Sequence, residues 1–385
     1  MTQAEKRRDI LMLPGPTDIP LEAYEAMSQP LINHRGQRFR EFHVALIEKL
    51  KKVIGTKQDV FLLTCSGTGG VEAALSNTIR SGDKVLALVG GQFGERMAEA
   101  ARYYSDNVVV AEVPWRRAPT VEDVRRGIQE NGDVDVVLLV HNETSTGGLA
   151  PNVEEIAREC RRADALLVLD AVTSLGGVPL KFDDAGIDLL LAGTQKCLAG
   201  PPGLSLVAVS ERAWEKIESL KKRPAYFDLV AHREFMSRGE TPFTPAISLF
   251  YGLNSSLDKL LEIGVENWID RHRRGAQAFY KSLSELELEI YPLPPYRSPT
   301  LIAVQLPDHI RDADVAKKMA EKHGVHVGVG VSKLKGRIIR IGSMGQVTAE
   351  RTKTTMKALC NVLSEYGMKL DYEAVDGIID ESFSR

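Results

Sequence analysis

Lys196 stands between two apolar runs. Ile187-Asp188-Leu189-Leu190-Leu191-Ala192 ends in Gly193, and Pro201-Pro202-Gly203 closes the segment before Leu204–Val209. Burying an ammonium costs several kcal/mol or drives its pKa down. A lysine that loses its proton is a nucleophile, and its commonest use is a Schiff base with a carbonyl. The alternative is a loop lysine whose head reaches solvent. Asp170 ends the apolar run Leu166-Leu167-Val168-Leu169; it either caps the next segment or pairs with a cationic ring nitrogen. His141-Asn142-Glu143-Thr144-Ser145-Thr146-Gly147 is another polar strand end, a set of donors or a hydroxyl-rich turn. Ser66-Gly67-Thr68-Gly69-Gly70 opens a helical pattern. Free backbone N–H groups there favour a phosphate, unless the segment is only a tight strand-to-helix turn; it is neither G-x-G-x-x-G nor a P-loop. Together, a phosphate cradle, a carboxylate for a ring nitrogen, a donor for a phenolic oxygen and a Schiff-base lysine are the parts that hold pyridoxal phosphate.

These groups need strand ends to stand on. The chain has 385 residues, room for two domains. Short apolar strands are predicted at Val60–Thr64, Lys84–Val89, Val108–Val113, Val134–Val140, Leu166–Asp170, Leu189–Leu191 and Leu204–Val209. Helices alternate with them: Phe39–Ile54, Val71–Ile79, Gly94–Tyr104, Thr120–Gln129 and Val153–Ala163. That alternation predicts an α/β fold with a largely parallel sheet covered on both faces, whose strand C-terminal ends share one ligand-binding edge. Ala225–Thr244 is aromatic and polar without clear periodicity. From Pro245 past Trp268 to Leu286 the pattern is helical, a link to a smaller α+β domain built from strands Thr300–Leu306, Val325–Val329 and Arg337–Ile341 and helices Ala313–Lys322 and Thr348–Tyr366. The expected division is 17–255 for the large domain and 256–385 for the small one, with residues 1–16 packing near the latter.

Composition narrows the function. Basic and acidic residues number 49 and 52, for a net charge of −3, and no basic block tracks a phosphate backbone, which argues against nucleic acid. Lys6-Arg7-Arg8 reads as a solvated end. No apolar run approaches the roughly 20 residues of a membrane span, and Ile10–Leu13 is too short for a signal-peptide core, so a cytoplasmic protein is expected. Cys65, Cys160, Cys197 and Cys360 are far apart, without zinc or iron–sulfur spacing, and no metal is expected.

The set of motifs, in this order, resembles the class V aminotransferases, in particular the alanine–glyoxylate, serine–glyoxylate and serine–pyruvate aminotransferases with their archaeal aspartate aminotransferase relatives. The likeness runs from Leu13-Pro14-Gly15-Pro16-Thr17 to about Gly345 and includes Gly90-Gly91-Gln92-Phe93-Gly94-Glu95-Arg96, Asp170-Ala171-Val172-Thr173-Ser174 and Arg340-Ile341-Gly342. The resemblance implies fold type I and pyridoxal 5′-phosphate as cofactor. It makes Lys196 the Schiff-base lysine and proton carrier, and Asp170 the partner of the pyridine nitrogen. Val172 is expected under one face of the ring and Phe93 on the other, where the family often has tryptophan. Thr144 is implied as donor to the phenolic oxygen, and Ser66, Gly67, Thr68 and Gln195 as phosphate ligands. Arg340 matches the arginine that binds the substrate carboxylate, and Gly15, in the entry turn, is expected near the substrate. Thr241-Pro242-Phe243-Thr244-Pro245 matches a segment reaching the partner subunit's phosphate, so Thr241 and Thr244 imply a homodimer with shared sites. Tyr251 and Trp268 then serve core or interface.

The implied reaction moves an amino group from a small amino acid such as alanine or serine to a 2-oxo acid such as glyoxylate or pyruvate. An aspartate:2-oxoglutarate reaction stays open, with His34 or Arg35 as a second cation. A cysteine lyase of the same fold needs a reactive loop cysteine, and Cys360 reads as core. A non-catalytic role as hydrogenase subunit fits the intact Lys196, Asp170 and Arg340 poorly.

Overall fold

In the computed structural model, which describes residues 9–384, seven short strands lie side by side in the order Asp59–Leu63, Ser205–Val209, Leu189–Gly193, Leu166–Asp170, Val136–Val140, Val85–Val89 and Val108–Glu112. The Lys6-Arg7-Arg8 cluster lies outside the described residues. Val85–Val89, Val136–Val140, Leu166–Asp170 and Leu189–Gly193 are buried along their whole length, as a sheet covered on both faces requires. Side chains alternate between two cores: Leu86 and Leu88 enter one apolar cluster, Val85, Ala87 and Val89 the other.

Ser205–Val209 alone runs antiparallel to its neighbours. The chain from Gly193 to Ser205 is too short for a helical crossover, so it doubles back, and Lys196 sits in the bend. The remaining strands are parallel, with Val140 beside Asp170 and Asp170 beside Leu191. Their C-terminal ends therefore bring Ser66, Gly91, the 141–147 segment, Asp170 and Lys196 to one edge.

A second sheet has the order Ile10–Met12, Val325–Val329, Ile338–Gly342, Leu301–Gln305. Ile10–Met12, too short to show a period in the sequence, pairs parallel with Val325–Val327. The expected long helical stretch is broken at Gly264, whose φ is +90°, into Ile247–Ile263 and Val265–Glu285. The second helix changes company along its length: Trp268 belongs to a core of the large sheet, Ala276, Phe279 and Leu283 to that of the small one. The aperiodic 225–244 stretch contains a helix, Leu229–Met236, capped by the Asp228 side chain. Glu373–Ser384 is a further helix, anchored by buried Val375 and Ile379. Among the described residues, no helix is long and apolar enough to cross a membrane.

Candidate active site

The lysine bend is built by its carbonyls. Thr17 donates its N–H to the Gln195 carbonyl at 3.1 Å and its hydroxyl to the Lys196 carbonyl at 3.2 Å. The Lys196 side chain then points back, and Nζ donates to the carbonyl of Pro14. Burial pushes its pKa down from 10.5 to about 8. Gly15, at φ +102°, leaves the amine its room, because a Cβ there would overlap Nζ.

Asp170 ends its strand inside the same edge. Its Oδ1 accepts the N–H of Val172 at 2.8 Å. Burial lifts its pKa from 3.8 to about 6, with the charge of Glu143 adding to the rise, while the Val172 bond, Lys196 and Arg96 oppose it. A carboxylate held this way gains from a cation placed beside it.

Lys196 and Asp170 share a cleft of about 410 Å³ with Ser66, Gly67, Thr68, Phe93, Thr144, Val172 and Gln195. Helix Gly67–Thr78 starts from an extended Ser66 whose side chain makes no cap hydrogen bond, so first-turn N–H groups stay open to an anion. Gly67 lies against Val172; a Cβ would come within 3.2 Å of Val172 Cγ2. Gln195 Oε1 is buried with no hydrogen-bond partner in the protein. Thr144 Oγ1 is 3.1 Å from Thr173 Oγ1, and the Thr173 hydroxyl donates to the Asn142 carbonyl at 2.9 Å. Thr144 is therefore the donor of the pair.

Glu143 looks in the sequence like one more residue of a polar strand end. It is buried and accepts N–H bonds from Phe93 at 3.3 Å, Gly94 at 3.1 Å and Ser145 at 3.1 Å, with the Ser145 hydroxyl at 2.5 Å. It thereby caps helix Gln92–Ala101, which begins at Gly91 with no side-chain cap of its own, and anchors the backbone of Phe93, which lines the cleft. A helix start lacking Ser, Thr, Asp or Asn was the signal for a remote cap. Asn142, Thr173 and Arg96 also line the cleft unforeseen; Arg96 lies 5.7 Å from the Phe93 ring centroid.

Arg340 and Gly15 are absent from the cleft lining but touch residues that form it. Arg340 is buried, with Nε donating to the Val329 carbonyl at 2.8 Å and Nη1 to the Thr144 carbonyl at 2.9 Å. Burial pushes its pKa down to about 10 against the charges of Glu143 and Asp312. Thr241 and Thr244 lie elsewhere, around a separate small pocket with Thr64 and Tyr226. The Thr241 hydroxyl donates to the Phe243 carbonyl at 2.7 Å, and Thr244 is exposed. Arg35 is committed to this segment, with Nη1 on the Thr241 carbonyl at 2.6 Å and Glu240 at 3.0 Å and Nη2 on the Pro242 carbonyl at 3.0 Å. Burial pushes the thiols of Cys65 and Cys197 up to about 12 and that of Cys360 to about 11, the opposite of an activated nucleophile.

The architecture is fold type I of the pyridoxal-phosphate-dependent transferases. A solved alanine–glyoxylate aminotransferase from Nostoc sp. superposes with a TM-score of 0.89 at 30% identity, covering 94% of this chain and 97% of that one. The chain belongs to the family Aminotransferase class-V, whose model matches residues 14–343. It is 38% identical to an uncharacterized aminotransferase of Methanocaldococcus jannaschii over 96% of both chains. It is 32% identical to an L-aspartate–glyoxylate aminotransferase of Paracoccus denitrificans, over 94% of this chain and 92% of that one.

Proposed function

We propose that this class V aminotransferase binds pyridoxal 5′-phosphate in the cleft and carries an amino group from a small amino acid, alanine or serine, to glyoxylate or pyruvate. The observation that carries the reading is the sharing of one cleft by a lysine whose burial lowers its pKa to about 8 and a buried carboxylate that makes no ion pair among the described residues. The orphaned Gln195 amide oxygen, the uncapped helix start at Ser66 and the cradle at Gly15 are polar or open where the cofactor would need them. Lys196 would hold the cofactor covalently, Ser66, Gly67, Thr68 and Gln195 its phosphate, and Phe93 and Val172 the two ring faces. Thr144, by turning its hydroxyl from Thr173, would donate to the ring oxygen. When bound, the cofactor supplies an electron sink for the carbanion at the substrate α-carbon.

The chain's own residues do the rest. Asp170 holds the proton on the ring nitrogen. Arg340 orients the substrate carboxylate through its remaining Nη2 edge. The Lys196 amine, neutral above about pH 8, takes the α-proton and returns it as general base and then acid. Gly15 keeps the space beside it free. The Paracoccus and Nostoc relatives are both named for glyoxylate, which supports it as acceptor. Thr241, whose carbonyl Arg35 holds, and Thr244 would reach the phosphate of a second subunit, making the active unit a homodimer.

A second reading has an acidic donor. Arg35 is spent on the 240–242 segment, but Arg96 stands in the cleft with no ion pair among the described residues, and the Paracoccus relative is named for aspartate. The test is a panel of alanine, serine, glycine and aspartate against glyoxylate, pyruvate and 2-oxoglutarate. Purified protein is expected to be yellow, and borohydride to fix the cofactor on Lys196. Colourless protein that takes up no added cofactor overturns the reading.

A further inference from the structure

Helix Val265–Glu285 places two buried polar rings one turn apart, Trp268 and His272. Each leaves the helix to grip a different part of the site. Trp268 Nε1 donates at 2.8 Å to the carbonyl of Cys197, the residue directly after Lys196. His272 Nδ1 lies 2.8 Å from the Trp268 carbonyl, so that nitrogen carries the proton, and Nε2 accepts the N–H of Gly345 at 2.9 Å. The imidazole is thus a neutral ring in a fixed tautomer, and burial, which pushes its pKa down to about 4, keeps it so.

Gly345 belongs to the segment that leaves the Arg340 strand. It takes φ +67°, and a Cβ there would meet Ala199 and Thr17 Oγ1 at 3.1 Å and the Lys196 carbonyl at 3.3 Å. Met344 packs with Cys197 and Leu301. The carbonyls of Gln195, Lys196 and Cys197 are therefore bonded in turn by Thr17, Thr17 and Trp268. The segment after Arg340 is laid against them and bonded to the same helix.

We propose that Trp268 and His272 are positioning residues that set the register between the reacting amine of Lys196 and the carboxylate-binding Arg340. Neither ring touches the cleft, and each acts through a backbone group. A helix is stiff over one turn, so the two bonds fix lysine bend and arginine strand on one ruler. Sub-ångström registry of this kind is what a proton transfer at a clamped substrate needs. The inference rests on the aminotransferase reading above.

The division of labour gives the test. Trp268→Phe keeps the packing and deletes the donor; His272→Phe keeps a buried ring and deletes the acceptor. His272→Phe is expected to raise KM for the amino donor about tenfold with kcat little changed, the worth of one hydrogen bond. Trp268→Phe is expected to lower kcat by a similar factor and leave KM alone. In cofactor-free protein, Trp268→Phe also shifts the pH midpoint of Lys196 labelling, and His272→Phe speeds amide exchange at 343–346. His272→Gln, whose Oε1 takes the place of Nε2, is expected to restore KM. Folded variants with wild-type KM, kcat and labelling midpoint overturn the proposal. So does a fall in kcat and a rise in KM that track thermal stability in all three variants, which marks ordinary core damage. Should His272→Phe not fold, Trp268→Phe against His272→Gln decides by the same kcat and midpoint readouts. A wild-type protein without transamination sinks the functional reading instead.

Discussion

Arg340 donates through Nη1 to the backbone carbonyl of Thr144 at 2.9 Å. The bond ties a strand of the small sheet to the polar turn at the edge of the large one, and it turns the guanidinium so that one edge is spent on protein. Lysine has no second edge to offer. Arg340→Lys is expected to raise KM for the amino donor by one to two orders of magnitude, roughly 1.5–3 kcal/mol for a lost charge-assisted bond, with the visible absorbance of the bound cofactor unchanged. Steady-state kinetics beside a spectrum checks both halves.

Lys196 should react as an amine of depressed pKa. In cofactor-free protein the rate of aldehyde capture, trapped by borohydride and read by mass spectrometry, is expected to rise with pH and reach half its plateau near pH 8, where an ordinary lysine would need 10.5. Lys196→Ala is expected to lose trapping and at least about 10⁴-fold of the transamination rate, since covalent attachment and proton transfer go together.

Asp170 trades stability for chemistry. Its folded-state pKa is raised to about 6 from 3.8. Between those values the folded protein keeps a proton that the unfolded chain has lost, so stability falls as pH rises through that window, and the full penalty stands above it. The penalty is about 3 kcal/mol. Asp170→Asn, which keeps an acceptor for the Val172 N–H, should therefore raise the melting temperature of cofactor-free protein at pH 7 and make little difference at pH 4. The same variant is expected to lose at least about 100-fold in kcat, because the ring nitrogen then lacks its carboxylate. A pH series of thermal melts on both proteins tests the sign.

Gly15 allows the amine its place. Gly15→Ala puts a methyl where Lys196 Nζ stands and asks alanine to adopt φ +102°. Strain at such an angle costs about 1–3 kcal/mol, and the displaced amine should lose labelling at pH 8 as well as turnover. Retained turnover with wild-type labelling would show that the N-terminal turn can yield.

Glu143 holds the backbone N–H groups of Phe93 and Gly94 at the start of their helix. Glu143→Gln leaves an amide N–H facing the helix start and is expected to destabilise the protein by about 1–3 kcal/mol, to speed amide exchange over residues 92–96 and to weaken cofactor retention. Dialysis with absorbance monitoring measures the last of these.

Much of this is legible in the amino-acid sequence. Lys196 between apolar runs, Asp170 at a strand end and the glycine-rich helix start carry their chemistry in residue type and spacing, because a buried polar group demands a partner. The seven apolar runs fixed the layered α/β class for the same reason: hydrophobic period is a local property of the chain. The 225–244 stretch hid a helix because its apolar residues follow no period, and Ile10–Met12 because a three-residue strand has none to show.

What residue order determined, then, was the chemistry available and the edge on which it would gather. What only tertiary structure decided was who holds whom. Glu143 caps a helix start 49 residues away in sequence, Arg35 grips the carbonyls of Thr241 and Pro242 rather than lining the cleft, and Trp268 and His272 reach the segments that follow Lys196 and the Arg340 strand. Such contacts join segments far apart in the chain, and their partners are backbone amides and carbonyls. Every residue carries those groups alike, so no residue letter announces them.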